Sequence, residues 1–352
     1  SMLINFFVLP IIGILLFLGL LGGGIGLLSV RVAGVLFVPC HWILLFYEKV
    51  CRFSARLPGA AWITGQPDWR KLLLFYLILG AVLFAMKKMK QRRGFVFIGC
   101  FMLLAVLHNP VKGFELDVLD VGQGACTVLS SGGQFALVDC GSGNSWRDAG
   151  CDTADELLTM GCRRVDRVIL THFDDDHING VEHLLARMGA ETLTIPKAEG
   201  GAALDRLLEL AERYGMDVET VTEETHLPFG NGELTIFPPL GVSGSNELGL
   251  TVLASAGEHS FLITGDMERA TEKKLIETYE LPELDVLMAG HHGSKNSTSK
   301  ELLDAVTPGT VIISVGSNSY GHPAEDTLRR LARAGCDIYR TDRHGTVYLS
   351  FD

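Results

Sequence analysis

The hydrophobic rhythm of the chain changes near residue 111. Before that point apolar residues come in long runs; after it they come in short runs punctuated by turn residues. Ile4–Val30 is almost wholly apolar, and about 20 such residues cross a bilayer, so a transmembrane helix is expected. Gly22, Gly23, Gly24 and Gly26 imply close helix contact or a break in it. Val32–Tyr47 is apolar and aromatic, then meets Glu48, Lys49, Arg52 and Arg56. It reads as a span or re-entrant element in preference to an interfacial helix. Leu57–Trp69, with Pro58, Gly59, Gly65 and Pro67, is a loop whose Trp62 and Trp69 suit the membrane interface. Leu72–Met86 and Phe95–Leu107 are shorter apolar runs that need tilt or partners to cross. The basic run Lys87–Arg93 between them is expected on the cytoplasmic side, which puts the following domain on the opposite face. His108-Asn109-Pro110 closes this part.

From Phe114 the pattern is of strands and turns, then of strands alternating with helices. Strands are expected at 114–121, 126–131, 134–139, 165–170, 192–195, 217–221, 233–237, 249–255, 260–264, 284–288, 310–315, 337–340 and 345–351. Helices are expected at 153–161, 180–189, 202–214, 267–278, 299–306 and 324–334. Two similar halves of this kind imply two mixed sheets packed together with helices outside, an α/β domain over 112–352 after a membrane part over 1–111.

Charge follows the same boundary. Residues 1–111 hold 11 Lys and Arg against two acids, and 112–352 hold 19 against 39, so the net −11 divides into +9 and −20. That asymmetry fits a membrane part followed by a water-soluble one. None of the eight cysteines forms a C-x-x-C pair, which argues against a structural zinc site.

The chemistry concentrates on one turn. After the strand at 165–170 come Thr171-His172-Phe173-Asp174-Asp175-Asp176-His177, and a helix follows. Two imidazoles and three carboxylates in six positions repel one another unless a cation sits among them. Other strand ends carry Asp139, Thr264-Gly265-Asp266, His291-His292-Gly293-Ser294 and Gly321-His322-Pro323. Ligands gather outside strand ends in layered sheet folds, and five such groups together are poorly explained by packing.

His-x-Asp-x-Asp-His, TGD, HHGS and YGHP in this order resemble the metallo-β-lactamase superfamily. With DVGQG at 120–124 and membrane runs before it, the chain resembles the C-terminal part of the ComEC family, through which bacteria take up transforming DNA. The resemblance implies an αββα metallo-β-lactamase-like sandwich preceded by a transmembrane helical segment. It implies two divalent metal ions, Mn²⁺ or Zn²⁺: one on His172 and Asp174, the other on Asp176 and His177, with Asp266 bridging and His292 a further ligand. His291 and His322 would face the substrate as proton donor or phosphate contact, beside Asp176 in the catalytic set. Asp120, Gln123 and Asp139 would support the loops, Gln123 also reaching substrate. The superfamily's second His is Asp174 here, and Ala125-Cys126 follow DVGQG where Asp-Ser is usual in the family. No motif marks the mid-chain His ligand; His226 and His259 are the candidates by order.

The expected reaction is phosphodiester hydrolysis by a two-metal site. Ser294, Lys295 and Asn296 precede the helix at 299–306, whose free N–H groups would suit a phosphate. The expected partners are DNA, the membrane, the remainder of the uptake channel and other competence proteins, with the enzyme degrading the strand that is not imported. The −20 balance opposes a broad nucleic-acid surface, so DNA would touch a narrow cationic strip, with clusters at Lys273-Lys274 and Arg329-Arg330-Arg333. Two other readings stay open: a membrane-anchored hydrolase of another phosphoester or a lactone, and a non-catalytic domain that gates the channel.

Overall fold

Alternation in β1 (Phe114–Val118) sends Phe114, Leu116 and Val118 to one face, where they join Ile236, Phe261 and Ile312 of a second sheet in a single buried cluster. The computed structural model in which this is seen describes residues 2–55, 57, 63–88, 99–103 and 113–351.

The first sheet continues with β2 (Thr127–Ser131), β3 (Gln134–Val138), β4 (Val165–Ile169), β5 (Ala190–Pro196) and β6 (Asp217–Val221). Its outer edge beside β1 is the last strand, β14 (Val347–Phe351). The second sheet holds β7 (Thr225–Phe229), β8 (Gly232–Phe237), β9 (Thr251–Ala256), β10 (His259–Ile263), β11 (Val286–Met288), β12 (Thr310–Ile313) and β13 (Asp337–Arg340). In both sheets an antiparallel part passes into a parallel one, at β3 in the first and at β10 in the second. Among the parallel strands, β11 and β12 at the centre of the second sheet are apolar and buried, while the edge strands β6 and β13 are largely exposed. The β2–β3 hairpin turns on Gly132 and Gly133, both at positive φ, as a two-residue turn between twisted strands requires.

Helices cover the outer faces. Leu157 on α4 (Ala149–Thr159), Leu184 and Leu207 pack against the first sheet, and Leu275, Leu302 and Leu331 against the second. The order helix, sheet, sheet, helix is the expected sandwich. β7 was not among the expected strands: its Pro228 reads as a breaker. β7 is an edge strand, where a missing N–H is tolerated.

Residues 1–63 form one compact unit and 64–352 another. In the first, α1 (Met2–Gly26) and α2 (Val30–Ala55) are joined by a turn at Leu27–Ser29. The apolar stretch 4–30 is therefore a helix that ends at Gly26. Gly22 lies against the Phe37 ring, and Gly26 against Ala33, so small residues set the approach of the two helices. Val8–Gly26 and Val30–Ser54 are long and apolar enough to cross a membrane. The second corresponds to the run at 32–47, extended to a full-length helix. The run at 72–86 is helical within α3 (Trp69–Lys88), whose first turn is capped by Asp68. The basic run beyond Lys88, most of 95–107 and His108-Asn109-Pro110 lie outside the described residues; 99–103 are helical.

Candidate metal centre

The strands end where the chemistry begins. β3 delivers Asp139, β4 delivers Thr171 and His172, β10 delivers Asp266, and β11 leads to a 3-10 turn at Gly290–Gly293 carrying His291 and His292. Two short helices, α5 (Asp175–Ile178) and α6 (Val181–Arg187), follow β4, and α5 carries Asp176 and His177. Asp139, His291 and His292 all have positive φ although none is glycine. Such backbone is costly and persists where surrounding structure fixes it, commonly at functional sites.

Each buried imidazole is fixed through its Nδ1. His177 Nδ1 lies 2.7 Å from Asp139 Oδ2, and His292 Nδ1 lies 2.8 Å from the Ser314 carbonyl oxygen. His172 Nδ1 is 3.0 Å from Thr171 Oγ1, and Thr171 in turn donates its N–H and hydroxyl to Asp139. The Nε2 atoms of His172, His177 and His292 are buried and have no hydrogen-bond partner.

Those three atoms converge on Asp266. Its carboxylate lies 3.9 Å from His172 Nε2, 3.3 Å from His177 Nε2 and 3.9 Å from His292 Nε2. Asp174 Oδ2 stands 3.7 Å from His172 Nε2, and Asp176 Oδ2 stands 3.4 Å from His292 Nε2. Two donor groups result, His172–His177–Asp266 and Asp176–His177–His292, each with its atoms within 4.8 Å of one another. Orphaned, buried nitrogens beside carboxylates are what a divalent cation needs, so these residues fit one or two such ions. His226 and His259 are not part of the cluster. His226 is exposed on β7 with both ring nitrogens on Glu224 and Glu233, and His259 opens β10 at the end opposite Asp266, paired with Asp285.

The protonation pattern shows the strain in the cluster. Burial and the neighbouring His177 push the His172 imidazole down to about 4. Burial alone would lower His177 too, but the Asp266 and Asp139 carboxylates outweigh it and raise that ring well above its ordinary value. Burial would likewise raise Asp266, but His177, His292 and His172 hold its carboxyl well below the usual range. His322 is lowered by burial first and then by His291 and His292.

A cavity of about 230 Å³ opens over the centre, walled by Gln123, His291, Tyr320 and His322 beside the acidic ligands. Gln123 is buried, and its Oε1 accepts from Gly316 N at 3.3 Å, which joins loops of the two sheets. Asp120 accepts from Gly122 N and from Arg147, bracing the DVGQG turn. Ser294, Lys295 and Asn296 do not line the cavity. The backbone there is already satisfied: Glu272 takes the N–H groups of Thr298 and Ser299, and Ser299 caps α7, defined as Lys300–Val306. The N–H groups of Thr298, Ser299 and Leu302 are therefore already taken by side chains of the protein itself. Behind this loop Arg269, Arg330 and Arg333, without carboxylate partners among the described residues, help line a groove of about 480 Å³. Asp304 and Asp326 line it as well, and Arg330 holds the Ser297 and Thr298 carbonyls of the intervening loop.

Thr171, Ser314 and Tyr320 had no assigned role from sequence. Thr171 and Ser314 act through a hydroxyl and a backbone carbonyl, which no motif marks; Tyr320 stood inside the quoted YGHP.

With this geometry in view, comparison with known proteins is direct. A family model described as "Metallo-beta-lactamase superfamily" matches residues 119–317. The chain belongs to this superfamily. This metallo-β-lactamase-fold chain is 30% identical over 302 residues to ComE operon protein 3 of Bacillus subtilis (strain 168), covering 80% of this chain and 39% of that one. It is 31% identical over 259 residues to Recombination protein 2 of Haemophilus influenzae, covering 72% and 31%. It is 27% identical over 242 residues to Competence protein ComA of Neisseria gonorrhoeae, covering 68% and 32%. The chain thus spans about a third of the length of these relatives. They bear out the resemblance to the C-terminal part of the ComEC family, and with the two apolar helices they associate the chain with a membrane. Membership supports a metal-dependent hydrolase that binds divalent metal.

Proposed function

We propose that this superfamily member hydrolyses phosphodiester bonds of DNA during its uptake across the bacterial membrane, degrading the strand that is not imported. The observation that carries the reading is Asp266, shared by buried imidazoles whose Nε2 atoms are unpartnered, beneath an open cavity. The choice of DNA as substrate rests on the resemblance to competence proteins, among them Competence protein ComA.

His172, Asp174, Asp176, His177, Asp266 and His292 would hold two divalent ions. Three imidazoles and three carboxylates, with no thiolate, suit Zn²⁺ or Mn²⁺. Ions bound there supply Lewis acidity and a water of lowered pKa. The protein's own part is orientation and proton handling. His291 and His322 both wall the cavity, where one would contact a phosphate oxygen and the other would give the leaving oxygen its proton. His291 Nε2 sits 3.6 Å from Asp266 Oδ2, at the cavity wall. The acidic balance leaves room for a local strip of cations, for which Arg269, Arg330 and Arg333 would serve. Residues 1–111 would be the membrane part of a multi-pass protein and 112–352 the hydrolase on the extracytoplasmic face, working with the rest of the channel and other competence proteins.

The test is DNA cleavage by the full chain with Mn²⁺ or Zn²⁺, beside Asp176→Ala. Activity in the parent and its loss in the variant is the expected result. Turnover of a small phosphodiester but not of DNA would replace this reading by a hydrolase of another phosphoester.

A further inference from the structure

Among described residues 113–351, the two most exposed aromatic side chains are Tyr320, at 75%, and Trp146, at 69%. Tyr320 stands at the metal centre, and Trp146 lies in a loop tied to the Tyr320 loop, with the Arg147 guanidinium 5.3 Å from its ring centroid. Tyr320 lines the cavity itself, with its ring 6.0 Å from that of His322. Trp146 lies two residues beyond Asn144, whose Nδ2 donates to the Ser317 carbonyl oxygen at 3.0 Å, so one hydrogen bond ties the two loops together.

Neither ring is presented by a slack loop. The Asn318 carboxamide oxygen accepts from the N–H groups of Tyr320, Gly321 and His322, at 3.1, 3.0 and 3.1 Å. The Asn144 carboxamide spans from Gln123 N to Ser317 O. The Tyr320 ring is held in water on a fixed backbone, so its ordering has already been met; the Trp146 ring has the Arg147 guanidinium over it, which leaves its other side for a partner. The domain carries −20, which weakens any grip through phosphates. Aromatic faces bind bases without needing positive charge, and a base in a duplex is already stacked on its neighbours.

We propose that Tyr320 and Trp146 form a stacking platform for unpaired nucleobases, so that the centre takes single-stranded nucleic acid. The proposal rests on the phosphodiester reading for its substrate, but binding can be measured apart from cleavage. Tyr320 positions the strand, while the reacting phosphate lies over the ligands.

The experiment uses the metal-free full chain in detergent and fluorescence anisotropy with labelled oligothymidylate, an abasic strand of equal length and the corresponding duplex. The parent is expected to bind oligothymidylate about ten-fold more tightly than either of the others. Tyr320→Ala and Trp146→Ala should each lose most of that preference, and Tyr320→Phe should keep it, because the face and not the hydroxyl is used. Equal affinity of the parent for the normal and abasic strands would overturn the platform, as would Tyr320→Ala matching Tyr320→Phe in a folded protein. Failure of the metal-loaded parent to cleave a strand that it binds with this preference would count against hydrolysis and leave the platform standing.

Discussion

Asp139 Oδ2 lies 2.7 Å from His177 Nδ1, and both groups are buried. The same carboxylate accepts the N–H and hydroxyl of Thr171, each at 2.7 Å. One residue at the end of β3 thus sets the His177 ring and the start of the ligand loop. Partners of this kind fix the tautomer of a ligating His and strengthen it as a donor. Asp139→Asn keeps the shape and removes the charge. It should weaken metal affinity by roughly 10- to 100-fold, read by competitive chelator titration, with little change in the secondary-structure spectrum. Unchanged affinity would mean that Asp139 only braces the loop.

Gly141 tests the backbone under that loop. A Cβ there would press into the Asp176–His177 peptide, and Gly141 does not have positive φ, so close approach alone is at issue. Gly141→Ala should cost about 1–3 kcal/mol of stability as an overpacked contact, and it should weaken metal binding without altering any ligand. Denaturant melts and metal titration on the same preparation measure both. A variant with normal stability and normal affinity would show that the loop yields freely.

Much of this was legible beforehand because metal ligands cluster locally. His172 to His177 sit in one turn, and Asp266 and His292 each sit in a short marked motif. The sandwich was legible for a similar reason: strand periodicity is local. What could not be read depends on distant partners. Nothing in the sequence beside α7 shows that Glu272, from another helix, takes the N–H groups of Thr298 and Ser299 just before it. Pro228 looks like a breaker until β7 is seen to be an edge. Nothing near Ser314 announces that its carbonyl oxygen will hold His292.

Asp117 carries a pH dependence of stability. It is buried in β1, and burial first, then Glu115 and Glu156, raises its carboxyl from 3.8 to about 8. In the fold it therefore keeps a proton that the unfolded chain has released. Its contribution is fully present below pH 3.8 and is lost as pH rises through about 8. Asp117→Asn removes this loss, so the variant's Tm should exceed the parent's by a margin that grows from pH 5 to pH 8. A constant margin across that range would refute the assignment.

Metal removal should be visible in the same melts. A ligand at about 100 times its Kd adds roughly 2.7 kcal/mol to the folded state. For a domain of this size that is a Tm rise of roughly 5–11 °C. Adding chelator to the metal-loaded parent should reverse the rise, while Asp266→Asn should show no response to either. A parent whose Tm ignores both metal and chelator would contradict the fit of the site.

The donors that meet at Asp266 come from both layers of the sandwich: His172 to His177 follow a strand of the first sheet, and Asp266 and His292 follow strands of the second. Neither layer owns a whole coordination set. During synthesis the early half must therefore wait, its imidazoles unclaimed, until the later half has emerged and docked. Capture of the ion is then a late event, and a fragment cut between the two sheets would inherit residues of the site without the ability to hold anything in it.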